Sequence, residues 1–222
     1  MTAVMLISLL FSNPLFFLVL TGGLLVAFVL HELAHALAAD KLGDPTPRLD
    51  GRITLNPAAH LDPLGTVALF LVGFGWGKPV MFDPYNLRHP LRDAGIIAAA
   101  GPLTNLLLAV IGSFILIIFR NSTLAENVFL PFVLINVTLA VFNLIPIFPL
   151  DGEKILMALL PKNLALTFQE NISRYGQFVL IMLVLPIMGG RSIISTFLSP
   201  VSMWVASYIL GGASFILSIF GI

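Results

Sequence analysis

The chain has 222 residues, 58% of them hydrophobic and only 10% charged, with a formal net charge of zero. A soluble domain carries about a quarter charged residues, so a water-exposed globular fold is excluded. The neutral charge balance gives nucleic acid no basic footing, and no nucleic-acid partner is expected. Cysteine is absent, which excludes disulfides, iron–sulfur clusters and thiolate zinc sites and leaves His, Asp and Glu to hold any metal.

Apolar stretches long enough to cross a hydrocarbon core recur along the chain, which makes it an all-α polytopic membrane protein. Residues 1–14 hold an apolar stretch with no Lys or Arg before it, so they read as mature chain rather than a cleaved signal peptide. Their ten or so apolar residues are too few to span upright, and an interfacial or re-entrant segment is expected. The first span runs from Pro14 to about Ala39. Pro14 suits a helix start, Asn13 or Ser12 suits its cap, and 15–30 carry no charge. The next segment, 40–63, is polar and rich in Pro and Gly. Within it Arg48, Asp50 and Arg52 alternate in PRLDGRITL, the period of a short strand or β-hairpin.

The apolar segment 64–77 (LGTVALFLVGFGWG) is short and interrupted by Gly65, Gly73, Gly75 and Gly77. Lys41, Arg48 and Arg52 precede it and Lys78, Arg88 and Arg92 follow it, so both flanks belong on the cytoplasmic side. A re-entrant hairpin fits that constraint better than a crossing. Long spans follow at about 94–119 and 124–148, then a shorter pair at about 174–189 and 200–220, separated by Gly189, Gly190 and Arg191. Segments 40–63, 78–93 and 151–174 then share the cytoplasmic side, while the loops near Arg120 and Arg191 face out. The expectation is five to six transmembrane helices plus the re-entrant segment, with the N-terminus outside. No internal repeat and no appended soluble domain is evident.

Ionisable groups inside spans are costly and point to function. The first span holds three in HELAH: His31, Glu32 and His35. Positions i and i+4 of a helix project on one face, so two imidazoles can bind one Zn²⁺ while the intervening Glu serves the attacking water as general base. The alternative, a polar packing cluster, is expensive in lipid. A catalytic zinc needs a third protein ligand, and Asp151, in FNLIPIFPLDG (142–152) on the same membrane side, is the candidate. Asp151 could instead simply cap the helix that follows.

HELAH in one span and an N-x-x-P-x-x-x-L-D-G pattern (Asn143, Pro146, Leu150, Asp151, Gly152) in a later one resemble the site-2 protease family of intramembrane zinc metalloproteases. AAAGPLTN (98–105) is similar to that family's A-G-P-x-x-N stretch. TLNPAAHLDPLGT (54–66) and GWGKPVMFDP (75–84) resemble segments of a small bacterial and archaeal subgroup without PDZ or CBS domains. One departure is Gly77, where the subgroup often has Ala, and little consequence is expected from it. The resemblance covers about 24–160. It implies cleavage of a transmembrane protein or peptide within or near the lipid bilayer of a bacterial or archaeal cell membrane, with the active site toward the cytoplasm. Zn²⁺ would be held by His31, His35 and Asp151, and Glu32 would activate water. The chain would be one membrane-embedded protease domain over 1–222, with a catalytic core at about 14–160 and accessory helices at about 174–220. Its biological role would be regulated proteolysis or clearance of membrane peptide remnants.

Asn143 could donate to the developing oxyanion or position the substrate backbone, or simply hydrogen-bond between helices. Asn105 faces the same choice, and its Gly101–Pro102 neighbours favour a structural use. His60, with Asp62 beside it, could orient substrate, donate a proton or approach the metal, or be a loop histidine satisfied by its neighbours. His89 reads as a solvated loop residue. An edge at 48–54 could add an extended substrate strand. Trp76, Trp204 and Tyr208 are interfacial anchors, and Gly211–Gly212 permits tight packing of the last helix, though the sequence fixes no oligomeric state. The rival readings are a transporter and a non-catalytic metal-binding membrane protein. The first usually brings internal repeats and more spans, and the second would tolerate Glu32→Gln.

Overall fold

Helix α1 (Leu6–Ser12) leads into α2 (Pro14–Lys41), which starts where the sequence places it: the Asn13 side chain accepts a hydrogen bond from Phe16 N at 3.1 Å, and Pro14 needs no donor in the first turn. The structure is a computed structural model that describes residues 6–185 and 192–219. After a short helix α3 (Thr46–Leu49) and a looped segment comes α4 (Pro63–Val72), capped by Asp62 and ended by Gly73 at φ +76°. Helix α5 (Pro90–Ile118) and α6 (Thr123–Asn143) form an antiparallel pair across a tight turn, with the Ser122 side chain capping α6. Helices α7 (Asp151–Leu159), α8 (Lys162–Val184) and α9 (Ile193–Ile219) complete the chain.

Among the described residues four helices are long and apolar enough to cross a membrane: α2, α5, α6 and α9. At the helical rise they run about 42, 44, 32 and 41 Å, all sufficient for the hydrocarbon core. Small side chains let them approach. Ala109, Val133, Val137 and Ala206 form a buried cluster that joins α5, α6 and α9, and Ala27, Ala36 and Ala39 of α2 are fully buried. Large apolar residues point outward, as Leu103, Leu107 and Ile111 do along α5. Such an inside-out distribution suits a lipid environment.

One expectation is corrected, and one falls partly on residues that are not described. The described part of the expected span at 174–189 continues α8 (Lys162–Val184), whose earlier turns carry Lys162 and Glu170. Residues 186–191, with Gly189, Gly190 and Arg191, lie outside the described residues. The expected β-hairpin at 48–54 is instead a helical turn. Asp44 accepts hydrogen bonds from Thr46 N (3.1 Å) and Thr46 Oγ1 (2.6 Å), which starts α3, and Gly51 at φ +66° turns the chain after it. Arg48 leaves the supposed edge to pair with Asp40, its Nε donating to Oδ1 at 2.7 Å.

The segment 64–77 doubles back on itself. Leu61 pairs antiparallel with Gly77, and Gly65 lies so close to Trp76 that a Cβ there would meet the Trp76 carbonyl oxygen at 2.0 Å. The strip from Gly77 onward then passes the end of α2 that carries HELAH.

Candidate metal centre and active site

His31 and His35 sit one turn apart in α2, both buried, with ring centroids 4.6 Å apart and planes nearly perpendicular. Each ring is fixed through Nδ1. His31 Nδ1 lies 2.6 Å from Asn105 Oδ1, and His35 Nδ1 lies 2.7 Å from the Ile97 carbonyl oxygen, both on α5. The Asn105 amide is itself oriented: its Nδ2 donates to Ala27 O and to Asn136 Oδ1, each at 3.0 Å. Both Nδ1 atoms therefore face pure acceptors and must carry the proton. Each neutral ring is left with an Nε2 lone pair.

Those lone pairs converge. The two Nε2 atoms stand 3.0 Å apart, and Asp151 Oδ2 lies 3.2 Å from His31 Nε2 and 3.3 Å from His35 Nε2. Asp151 Oδ2 is buried and accepts no hydrogen bond. Three acceptor atoms aimed at one point repel unless a cation occupies it. Among the described residues these three side chains form the group able to hold a metal ion, their ligand atoms all within 4.8 Å of one another. Two imidazoles and a carboxylate, each ring donating its other N–H to an oxygen, fit zinc and its usual outer partners.

Glycines bring the three together. A Cβ at Gly101 of α5 would stand 2.4 Å from His35 Nε2 and 2.6 Å from His31 Cε1, and at Gly152 it would meet Leu144 O at 2.3 Å. Gly101 thus lets α5 lie against the rings. Gly152 lets α7 start beneath the end of α6, which presents Asp151, its first residue, to the histidines.

Glu32, 8% exposed, accepts a hydrogen bond from Val80 N at 3.3 Å and lines a cavity with both histidines and Asp151. Pro79, Val80 and Phe82 of the returning strip form one wall, and Asn143, Pro149 and Lys154 lie on another. Asn143 ends α6, with Nδ2 donating to Leu139 O at 2.9 Å. Asn105 does not line the cavity and instead holds His31. His60 is fully buried away from it, its Nε2 bonded to Thr54 O at 2.9 Å and its backbone oxygen accepting from Lys78 N at 2.8 Å. His89 precedes α5, its N–H donating to Asp93 Oδ2 at 2.9 Å. Sequence reasoning missed Asn136, which reads as one more polar residue in an apolar helix, and Arg52, whose charge suggests solvent although it is 4% exposed.

The model of peptidase family M50 matches residues 119–185. A relative named "Putative zinc metalloprotease YwhC", from Bacillus subtilis (strain 168), is 37% identical over 182 residues, which is 78% of this chain and 82% of that protein. MJ0611 of Methanocaldococcus jannaschii, under the same description, is 32% identical over 161 residues, 69% of this chain and 79% of the relative. Among solved structures, the site-2 protease from Methanocaldococcus jannaschii is similar at 25% identity and a TM-score of 0.48, covering 94% of this chain and 82% of that one. With zinc metalloproteases as relatives and four long apolar helices, the chain belongs to the site-2 protease family, peptidase family M50, of membrane-embedded zinc metalloproteases.

Proposed function

We propose that the protein hydrolyses peptide bonds of transmembrane proteins or peptides within or near the bilayer, with His31, His35 and Asp151 as the zinc ligands and Glu32 as general base. The reading rests on the convergence of three acceptor atoms on one point with Glu32 beside them in the same cavity. His31 lies ten residues before the end of α2, about 15 Å along the helix axis, which puts the reaction inside the span. When bound, zinc supplies a Lewis acid that polarises the scissile carbonyl and brings a water pKa to about 7.

Glu32 takes the proton from the attacking water and delivers it to the leaving amine nitrogen. Its Oε2 is held by Val80 N–H, which leaves Oε1 for the water. Asn105 and the Ile97 carbonyl keep both imidazoles in the tautomer that offers Nε2. Asn143, on the cavity wall, is placed to bind the oxyanion or the substrate backbone. The catalytic core is the 14–160 segment, with α8 and α9 accessory. The loops at the HELAH end of the bundle carry Lys41, Arg48, Arg52, Lys78, Arg88 and Arg92, against Arg120 at the opposite turn. By the positive-inside rule the site opens toward the cytoplasmic face of the cell membrane.

The test is Glu32→Gln in purified, lipid-reconstituted protein. Zinc stays bound at the wild-type stoichiometry while cleavage of a membrane-embedded substrate is lost. Normal cleavage by Glu32→Gln would reject the assignment.

A further inference from the structure

We propose that Arg52 is a positioning residue for the proposed general base, acting through the strip at 78–80. Arg52 is 4% exposed, and among the described residues it forms no ion pair. A buried cation without a counter-ion is unfavourable unless fixed dipoles replace its water, and here three carbonyls do so. Nη1 donates to Ala59 O and to Lys78 O (3.1 Å), and Nη2 donates to Pro79 O at 2.8 Å. The first carbonyl belongs to the 57–60 turn and the other two to the returning strip. One planar fork therefore staples two segments that are otherwise joined by the Leu61–Gly77 pairing and the bond from Lys78 N to His60 O.

The next residue along the strip is Val80, whose N–H donates to Glu32 Oε2 at 3.3 Å. Pro79 has no N–H to offer, so Val80 supplies the strip's contact with Glu32. Freed from Arg52, the strip keeps its antiparallel pairing at Gly77 and Lys78 and, three residues beyond Val80, the bond from Asp83 N to Asp44 Oδ2 at 2.8 Å, but the two carbonyls immediately before the Val80 donor lose the guanidinium that fixes their height. A lysine cannot replace the staple, because an ammonium on a flexible stem lacks the planar fork that reaches three carbonyls on two segments.

This inference rests on the assignment of Glu32 as general base, and the two are separable. In Arg52→Lys and Arg52→Ala, kcat for a membrane-embedded substrate falls on the order of 100-fold, the scale of an ångström-sized misplacement. KM and zinc stoichiometry stay near wild type. Added guanidinium ion restores a large part of the kcat of Arg52→Ala but none of that of Glu32→Gln. Amide hydrogen exchange in zinc-free protein gives a readout independent of catalysis: the Lys78 and Val80 amides lose protection in both Arg52 variants, while those of α5 keep theirs. Unchanged protection of Lys78 and Val80 overturns the proposal whether or not the wild type cleaves anything. So does wild-type kcat in both variants, or a kcat deficit in Arg52→Ala that guanidinium leaves untouched. Normal cleavage by Glu32→Gln, with Lys78 and Val80 still losing protection in both Arg52 variants, would instead count against the general-base assignment alone.

Discussion

Asn136 and Asn105 are joined amide to amide at 3.0 Å, and through that bond helix α6 reaches the His31 ring. Asn136 Nδ2 is anchored on Phe132 O at 2.9 Å, so its oxygen is the end that faces Asn105. That orients Asn105 with its own oxygen toward His31 Nδ1. The tautomer of the His31 ring is thus set two residues away, on another helix.

Removing this support should weaken zinc binding. Outer partners of metal-bound histidines are worth about 10- to 100-fold in affinity. Asn105→Leu is expected to fall within that range and Asn136→Leu near its lower edge. The double variant should be no weaker than Asn105→Leu, because both act through one ring. Competition with a chromophoric chelator in detergent-solubilised protein measures this, and additive losses would break the proposed chain of contacts.

Gly101→Ala should have a comparable effect for a steric reason. The added methyl would stand 2.4 Å from His35 Nε2, so either the rings or α5 must move. Overpacking of this kind costs about 1–3 kcal/mol, which corresponds to roughly 5- to 150-fold in zinc affinity. Gly211→Ala is the control, since a Cβ there has nothing within 4 Å. Metal content after dialysis at limiting zinc distinguishes the two, and a Gly101→Ala protein that keeps full zinc would show that α5 can yield.

The HELAH and LDG residues were readable because ionisable groups in apolar spans stand out and because one helical turn sets the spacing of His31 and His35. The glycine after Asp151 is now explained by the Leu144 and Ile145 carbonyls that pack against it. Arg52 was not readable. Its alternation with Arg48 and Asp50 has the period of a strand, yet Asp44 and Gly51 divide the segment into a helical turn and a left-handed turn. Burial of a lone cation leaves no local pattern, since its partners are carbonyls seven or more residues away. The start of α8 was not readable for a different reason. Hydropathy marks a span-like stretch from about 174, while the helix that contains it begins at Lys162 in a charged, amphipathic stretch.

Zinc should stabilise the folded protein through Asp151. Without the ion, Asp151 Oδ2 and two Nε2 lone pairs face each other at 3.0–3.3 Å. A ligand that binds only the native state adds about 2.7 kcal/mol at a free concentration of 100 Kd. Chelation should therefore lower Tm reversibly and abolish cleavage, and zinc should restore both. Asp151→Asn keeps the shape but lacks the charge, so its Tm should respond little to zinc. An equal zinc response in wild type and Asp151→Asn would remove Asp151 from the ligand set.

Gly77, which stands where the resembling subgroup often has alanine, carries the last prediction. A Cβ on Gly77 would lie 1.9 Å from Phe28 Cζ, with two further ring atoms within 2.8 Å. Phe28 sits on α2 one turn before His31, so the strip is seated directly on the helix that carries the site. Gly77→Ala must displace the ring or lift the strip, at a cost of about 1–3 kcal/mol, and lifting it also disturbs the carbonyls that Arg52 binds. Phe28→Leu should make room: the double variant Phe28→Leu, Gly77→Ala should recover most of the Tm lost in Gly77→Ala. Thermal unfolding of the four proteins in one detergent closes the cycle. If Phe28→Leu and Gly77→Ala instead add independently, the contact between ring and strip is not what makes glycine necessary at 77.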